Sequence, residues 1–254
     1  MTAPDVRKVA LSSQAAFDAS VIYYAAGHAQ DRHEHDRASF AILLAGSLVE
    51  VVEGQEHAAG PCQASLKPRK VVHADRYGPD GAVLLSFVFR CEETADEALG
   101  QTGWQWRNVR MASPMAVFDL RGAAAGGILD DTLWDTLAAT ERPAPSTRPP
   151  EWLRWAKSEL DSGERRRDIA SLAAAAGVHR VHFTRQFARQ YGLAPSSYRQ
   201  RQMAGRALRA MVDLQASPAA AAFDAGFADQ SHMTRAIRRT FGATPGRLAA
   251  LLAT

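Results

Sequence analysis

Two stretches of the chain repeat one another and set arginine and threonine at matching positions. His182-Phe-Thr-Arg-Gln-Phe-Ala-Arg-Gln-Tyr-Gly-Leu-Ala-Pro195 recurs as His232-Met-Thr-Arg-Ala-Ile-Arg-Arg-Thr-Phe-Gly-Ala-Thr-Pro245, at a constant offset of 50 residues. Read as helices, each copy has two faces. Phe183, Phe187 and Tyr191, and then Met233, Ile237 and Phe241, form stripes at i, i+4 and i+8 that belong to a core. The opposite stripes carry Val181, Thr184, Arg185 and Ala188, then Ser231, Thr234, Arg235 and Arg238. Arginine bonds guanine bidentately in the major groove, and threonine meets a base edge or a thymine methyl. Arg185 and Arg235 are the candidate base readers. Arg180, Val181, Thr184, Arg189, Gln230, Ser231, Thr234 and Arg238 complete the candidate DNA contacts, Val181 by apolar contact alone. Any one arginine here also fits a phosphate contact or a solvated charge. His182 and His232 read as packing or capping residues, not metal ligands.

A second chemistry sits near the N-terminus, in Arg32-His-Glu-His-Asp36. On a strand, residues i and i+2 share a face, so His33 and His35 would converge on one ion. The same pattern also fits a polar strand edge. The two cysteines, Cys62 and Cys91, have no metal or disulfide spacing. No Ser-His-Asp order, phosphate-cradling glycine loop or CxxC motif offers another catalytic chemistry.

The elements that must position these residues follow from local signals. Ile169 to Ala176 predicts a short helix, Gly177 a sharp turn, and His179 to Tyr191 a second helix closed by Gly192, with Pro195 beyond. That is a helix-turn-helix. Ala176-Gly177-Val178 matches Ala225-Gly226-Phe227 at an offset of 49, and Pro218, Gly226 and Gly242 punctuate the second unit in the same way. The charge is divided accordingly. Residues 151–254 hold 16 Arg or Lys against 8 Asp or Glu, while the chain as a whole is only +3. A basic half attracts a polyanion over long range, although a solvated basic face has the same composition.

Upstream, Phe40-Ala-Ile-Leu-Leu44, Ser47-Leu-Val-Glu-Val-Val52 and Ala82-Val-Leu-Leu-Ser-Phe-Val-Phe89 are short β-rich runs between turn residues, which predicts an antiparallel sandwich or barrel. From Pro114 to Thr140 an apolar period near 3.6 returns, and four prolines between Glu141 and Pro150 read as a linker. The resulting division is 1–112 barrel, 113–140 helical dimerisation or packing segment, 141–150 linker and 151–254 DNA-binding domain. Strands followed by helices favour separate domains. No apolar run approaches the roughly 20 residues of a membrane span, and no signal peptide is evident, so a cytoplasmic protein is expected.

Leu172-Ala-Ala-Ala-Ala-Gly-Val178, and Ala225-Gly-Phe227 through Phe241-Gly-Ala-Thr-Pro245, resemble the AraC/XylS transcription regulators. The resemblance covers about Trp152 to Leu252, with Leu248 where the family usually has an aromatic residue. It implies seven helices, a long one within Ser196 to Leu214 joining the two units, and a second helix of each unit in successive major grooves about 34 Å apart. The N-terminal half is similar to the cupin-like sensor barrels that such regulators carry. By that resemblance Gly46 falls in the first cupin motif, and Pro68 and His73 in the second, so His73 joins His33 and His35 as a ligand. Two departures stand out. Ser39 and Phe40 occupy the place of the metal-binding glutamate, and Lys70 that of a glycine. Glu50 or Cys62 is then a candidate fourth ligand.

The fold class that follows is β then α: a cupin-like barrel with following helices, then an all-α double helix-turn-helix. The function expected is that of a ligand-responsive, sequence-specific transcription regulator, activator or repressor, and not an enzyme. The competing reading is a metal-dependent cupin enzyme with an appended DNA-binding domain. Expected partners are double-stranded DNA, RNA polymerase, a second copy of the chain, and a small-molecule or metal effector. Zinc, nickel or iron would suit the imidazoles.

Overall fold

The computed structural model describes residues 5–99, 103–109, 137, 140–141, 149–162 and 167–252. Among the described residues nine antiparallel strands come first: β1 (Val6–Ser13), β2 (Phe17–Tyr24), β3 (Ala29–His33), β4 (Ser39–Val52), β5 (Gln55–Ala59), β6 (Gln63–Lys67), β7 (His73–Phe89), β8 (Gln105–Val109) and β9 (Thr140–Glu141). Helix α1 (Glu92–Leu99) lies between β7 and β8. The helical half has α2 (Glu151–Ser162), α3 (Ile169–Ala175), α4 (Arg180–Tyr191), α5 (Pro195–Val212), α6 (Pro218–Ala225), α7 (Gln230–Phe241) and α8 (Pro245–Leu252). Among the described residues, no helix is long and apolar enough to cross a membrane.

The long strands β4 and β7 organise the sheet. The first half of β4 and the second half of β7 lie in the run β1-β2-β7-β4-β6-β8-β9, while their other halves pair with β5 and β3. The change from one set of partners to the other coincides with register shifts at Leu43/Ala45 and Gly46/Leu48. Extra residues of this kind bend and twist a strand. Gly46 and Gly81 make the bend possible. Both have positive φ, and a Cβ on Gly46 would stand 2.1 Å from the Gly81 carbonyl oxygen. On one face of this sheet Phe17, Phe40, Ile42, Phe87 and Phe89 form a buried cluster against the helices, while the alternate residues Ala41, Leu43, Leu84 and Ser86 line the barrel cavity on the other face.

The helical half follows the repeat. Asp168 caps α3 by accepting from the Ser171 amide, and Gly177 (φ +69) turns the chain. Gly192 (φ +75) closes α4 in the left-handed conformation that glycine adopts without a Cβ penalty. In the second unit Ser217 caps α6, Asp229 caps α7 and Gly242 closes it. His182 and His232, read as packing or capping residues, do not cap; in the first unit the N-cap is His179, whose Nδ1 accepts from the Val181 amide. His182 instead lies near Trp152, and His232 meets the edge of Phe227 at 5.1 Å between ring centres.

Two expectations need correction. Glu141 begins no linker: with Thr140 it pairs onto β8, opposite Asn108 and Val109. Of the 113–140 helical segment only Leu137, helical and buried, and Thr140 are among the described residues. The halves are also not separately cored. One continuous cluster runs from the barrel phenylalanines through Ala45 to Ala204, Leu208, Phe241 and Leu248. A second surrounds Leu153, Leu172, Phe183, Phe187 and Tyr198.

Gly46→Ala must push into backbone, whereas a Cβ on Gly54, also at positive φ, meets nothing within 4 Å. Gly54→Ala should cost about 1–2 kcal/mol for the left-handed conformation alone, and Gly46→Ala at least twice that by urea unfolding. Equal losses would mean that the Gly46–Gly81 approach gives way without penalty.

Candidate nucleic-acid interface and barrel site

Helices α4 and α7 each bury one stripe and expose the other. Phe183, Phe187 and Tyr191 are buried, as are Met233, Ile237 and Phe241. Of the ten side chains predicted to meet DNA, Arg180, Val181, Arg185, Arg189, Gln230, Ser231, Arg235 and Arg238 are exposed; Thr184 and Thr234 are half-buried. Val181 is 48% exposed. Among the described residues, Arg180, Arg185, Arg189, Arg235 and Arg238 enter no ion pair, unlike Arg7, Arg90 and Arg206 elsewhere. Unneutralised guanidinium groups along two capped helices form a surface suited to a polyanion. Arg239, also exposed, was missed, although it stands 50 residues after Arg189 and the repeat itself points to it.

The barrel site is built where β3 meets β7. His33 pairs directly with His73 across the two strands. His35 lies past the end of β3, so the imidazoles converge through a loop rather than through a shared strand face. The ring centres are 4.2 Å apart for His33–His73, 4.9 Å for His33–His35 and 5.2 Å for His35–His73. The loop is fixed by Lys70, the residue in the usual glycine position, which adopts φ +61. Its amide donates to the His35 carbonyl at 2.8 Å, and its ammonium donates to Glu34 and Asp36 at 2.9 and 2.6 Å. The backbone strain of a non-glycine residue is thereby offset locally.

The donor chemistry fits a divalent ion. His33 Nδ1 lies 2.7 Å from the Asp31 carbonyl and His73 Nδ1 lies 2.9 Å from that of Val71. A carbonyl only accepts, so both Nδ1 atoms carry the proton, and in a neutral ring so held Nε2 presents the lone pair. The Nε2 of His73 is buried without a partner. Burial pulls the His73 pKa down to about 4, with Lys67 adding to it, so the ring is neutral at pH 7. Burial, more than Lys67, also lowers His35.

Beside the histidines lies a polar interior of which sequence reasoning had picked out only Glu50. Glu50 sits on β4 opposite Asp75 on β7. Burial raises the Glu50 pKa, but the Lys67 ammonium and bonds from Trp104 Nε1 (2.6 Å) and Ser65 Oγ (3.1 Å) outweigh it and hold it below the usual range. Burial pushes Asp75 up to about 6. Cys62 is buried and falls in none of the His, Cys, Asp and Glu groups among the described residues that could share an ion. A cavity of about 390 Å³ opens here, lined by Tyr24, Leu48, Lys67, Tyr77, Leu84 and Trp106 among others.

Sequence reasoning also missed what joins the halves. Arg7 donates to the Val212 and Leu252 carbonyls at 3.4 and 3.2 Å and pairs with Asp213, which also accepts from Tyr23 Oη. The Gly46 amide donates to Gln202 Oε1 at 3.0 Å, and Arg206 pairs with Asp80 at 3.1 Å. The partners lie more than a hundred residues apart, and no local pattern marks them.

An antiparallel barrel followed by two helix-turn-helix units with open arginine stripes defines a protein of the DNA-binding helix-turn-helix class. Residues 172–250 match the family model described as a helix-turn-helix domain. No curated protein sequence matches the chain significantly. Similar solved structures include KdgF from Halomonas sp., at 20% identity and TM-score 0.32, covering 35% of this chain and 84% of that one. A cupin superfamily protein from Desulfitobacterium hafniense aligns at 18% identity and TM-score 0.32, over 35% of this chain and 81% of its own. ToxT from Vibrio cholerae aligns at 9% identity and TM-score 0.38, over 94% of this chain and all of its own. At TM-scores this low the likenesses carry no argument.

Arg185→Ala and Arg235→Ala should each weaken binding to a preferred DNA sequence by about 1–3 kcal/mol and relax base preference at one position. Equal weakening on every sequence, with a shallower salt dependence, would instead identify phosphate contacts.

Proposed function

We propose that the protein is a ligand-responsive, sequence-specific DNA-binding transcription regulator, in which α4 and α7 read adjacent major-groove segments and the barrel senses the effector. The observation that carries this reading is the accessibility of both arginine stripes while the barrel is docked. The barrel packs on α5, α8 and the buried side of α7, leaving Arg185 and Arg235 open. In this reading residues 151–254 bind DNA, residues 1–112 sense, and residues 113–140 mediate contact with a second copy of the chain.

The effector binds in the barrel interior, as a divalent ion on His33, His35 and His73, or as a small organic molecule in the adjoining cavity. A bound zinc, nickel or iron ion would supply a fixed positive charge and a Lewis-acid site for a ligand's oxygen atoms. A larger cleft of about 590 Å³ beside α1 suits the effector less well. Its cations are already engaged, Arg37 and Arg90 by Asp18, and Arg69 by Glu92. Communication with DNA runs through β4 and β7, which carry Glu50 and Asp75 towards the cavity and seat α5 on their other halves. An effector that favours one seating of α5 over another changes the relation of the two reading helices, which is a coupling of two sites.

Selection of bound sequences from a random DNA pool by the full-length protein tests this reading. The expected result is a motif of two blocks centred about one helical turn apart, 10–10.5 base pairs. Recovery of no motif at moderate salt, with metal and without it, would overturn it.

A further inference from the structure

The cation reading leaves one ligand unassigned, since the acid that resemblance would place after the HxH is absent. We propose that Asp75 supplies it, so that a divalent first-row ion is held by His33, His35, His73 and Asp75; the inference rests on the cation reading above. Asp75 lies two residues beyond His73 on β7, and residues at that spacing share a strand face. Both side chains are buried, with Asp75 Oδ2 3.8 Å from His73 Nε2. His73 Nε2 and Asp75 Oδ1 are both buried without a hydrogen-bond partner. With Nδ1 protonated, the Nε2 lone pair and the carboxylate are two acceptors facing one another across a gap no donor fills. Such a pair repels unless a proton or a metal cation lies between its members.

The neighbouring groups narrow the choice. Lys67 is the nearest ammonium, and it is spent on Glu50. Glu50 in turn has both oxygens engaged, Oε1 by Lys67 and Oε2 by Trp104 and Ser65. That leaves Asp75 as the carboxylate with a free oxygen. Candidate ligand atoms of His33, His35 and His73 lie within 4.8 Å of one another, and so do those of Glu50, His73 and Asp75; the two groups meet at His73, so one ion on all four ligands requires the Asp75 carboxylate to turn towards His33 and His35. Three imidazoles and one carboxylate suit zinc, iron, cobalt or nickel rather than magnesium or calcium, which favour oxygen.

The test uses full-length protein stripped with chelator and titrated with cobalt(II), following visible ligand-field absorption and the shift in Tm. Wild type should bind one equivalent. Asp75→Asn should bind at least about tenfold more weakly, with an altered spectrum and a smaller Tm rise. Asp75→Glu should regain part of both, and Glu50→Gln should stay near wild-type affinity. Circular dichroism checks that each variant folds, and Asp75→Glu provides the reading if Asp75→Asn does not. An unchanged affinity and spectrum in Asp75→Asn would overturn the assignment while leaving a histidine site in place. Loss on Glu50→Gln alone would move the ligand to Glu50. If wild type binds no more cobalt than His33→Ala, the cation reading itself falls.

Discussion

Helix α5 sits on β4 and β7 through small residues, and that seat has no room to spare. Gly205 approaches so closely that an added Cβ would stand 3.1 Å from the Ala45 Cβ. At Gly60 an added Cβ would stand 2.4 Å from the Tyr198 hydroxyl oxygen. Ala204, Ala207 and Leu208 fill the rest of the contact and are fully buried. Close-packed interiors transmit displacement rather than absorbing it, so a shift of these strands must move α5 or open a void. Both helix-turn-helix units pack on α5, which makes this contact the base on which the reading surface stands.

Polar groups hold the contact in one register. Gln202 is buried and satisfied at both ends of its amide: Oε1 accepts from Gly46, and Nε2 donates to Asp161 at 2.6 Å. Asp161 also accepts from Tyr198 and Lys157, each at 2.7 Å, and so ties α2 to α5 beside the barrel. At the far end Arg7 and Tyr23 converge on Asp213. Arg7 is only 7% exposed, so losing its partner would leave a buried charge uncompensated, a cost of about 3–5 kcal/mol. Apolar packing gives this interface its strength, and these bonds make alternative seatings costly.

What was legible in the sequence was local. The repeat and the glycines at 177, 192, 226 and 242 act within a turn or two of their own residues, as do the caps at Asp168, Ser217 and Asp229, which sequence reasoning missed. The helices could therefore be read to within a residue or so. The HxH pair was visible as composition, but its geometry was not, because His35 leaves the strand and Lys70 holds the loop in place. Asp75 and Lys67 carried no signal: an acid or a lysine in a strand reads as a solvated face until cross-strand pairing puts it opposite Glu50 or beside it. The continuous core was hidden for a similar reason. Alanines and a glycine in α5 read as helix formers and spacers, while their role is to admit a second surface at close range.

The position of the barrel constrains how an effector can act. Were regulation a matter of covering the reading helices, the docked barrel would bury Arg185, Arg235 or their neighbours, and it buries none of them. The second unit meets the barrel through α8 and the closing residues of α7, including Phe241 and Ala243, on the side away from its arginines. The first unit meets it through Tyr198 against Gly60 and Gly192 against Asn108. Each unit thus has its own footing on the barrel, and α5 spans the two. Two reading helices on one chain gain from binding together only if their spacing matches the grooves. Under the proposed function, the quantity an effector adjusts is that spacing, set by two footings on one pair of strands.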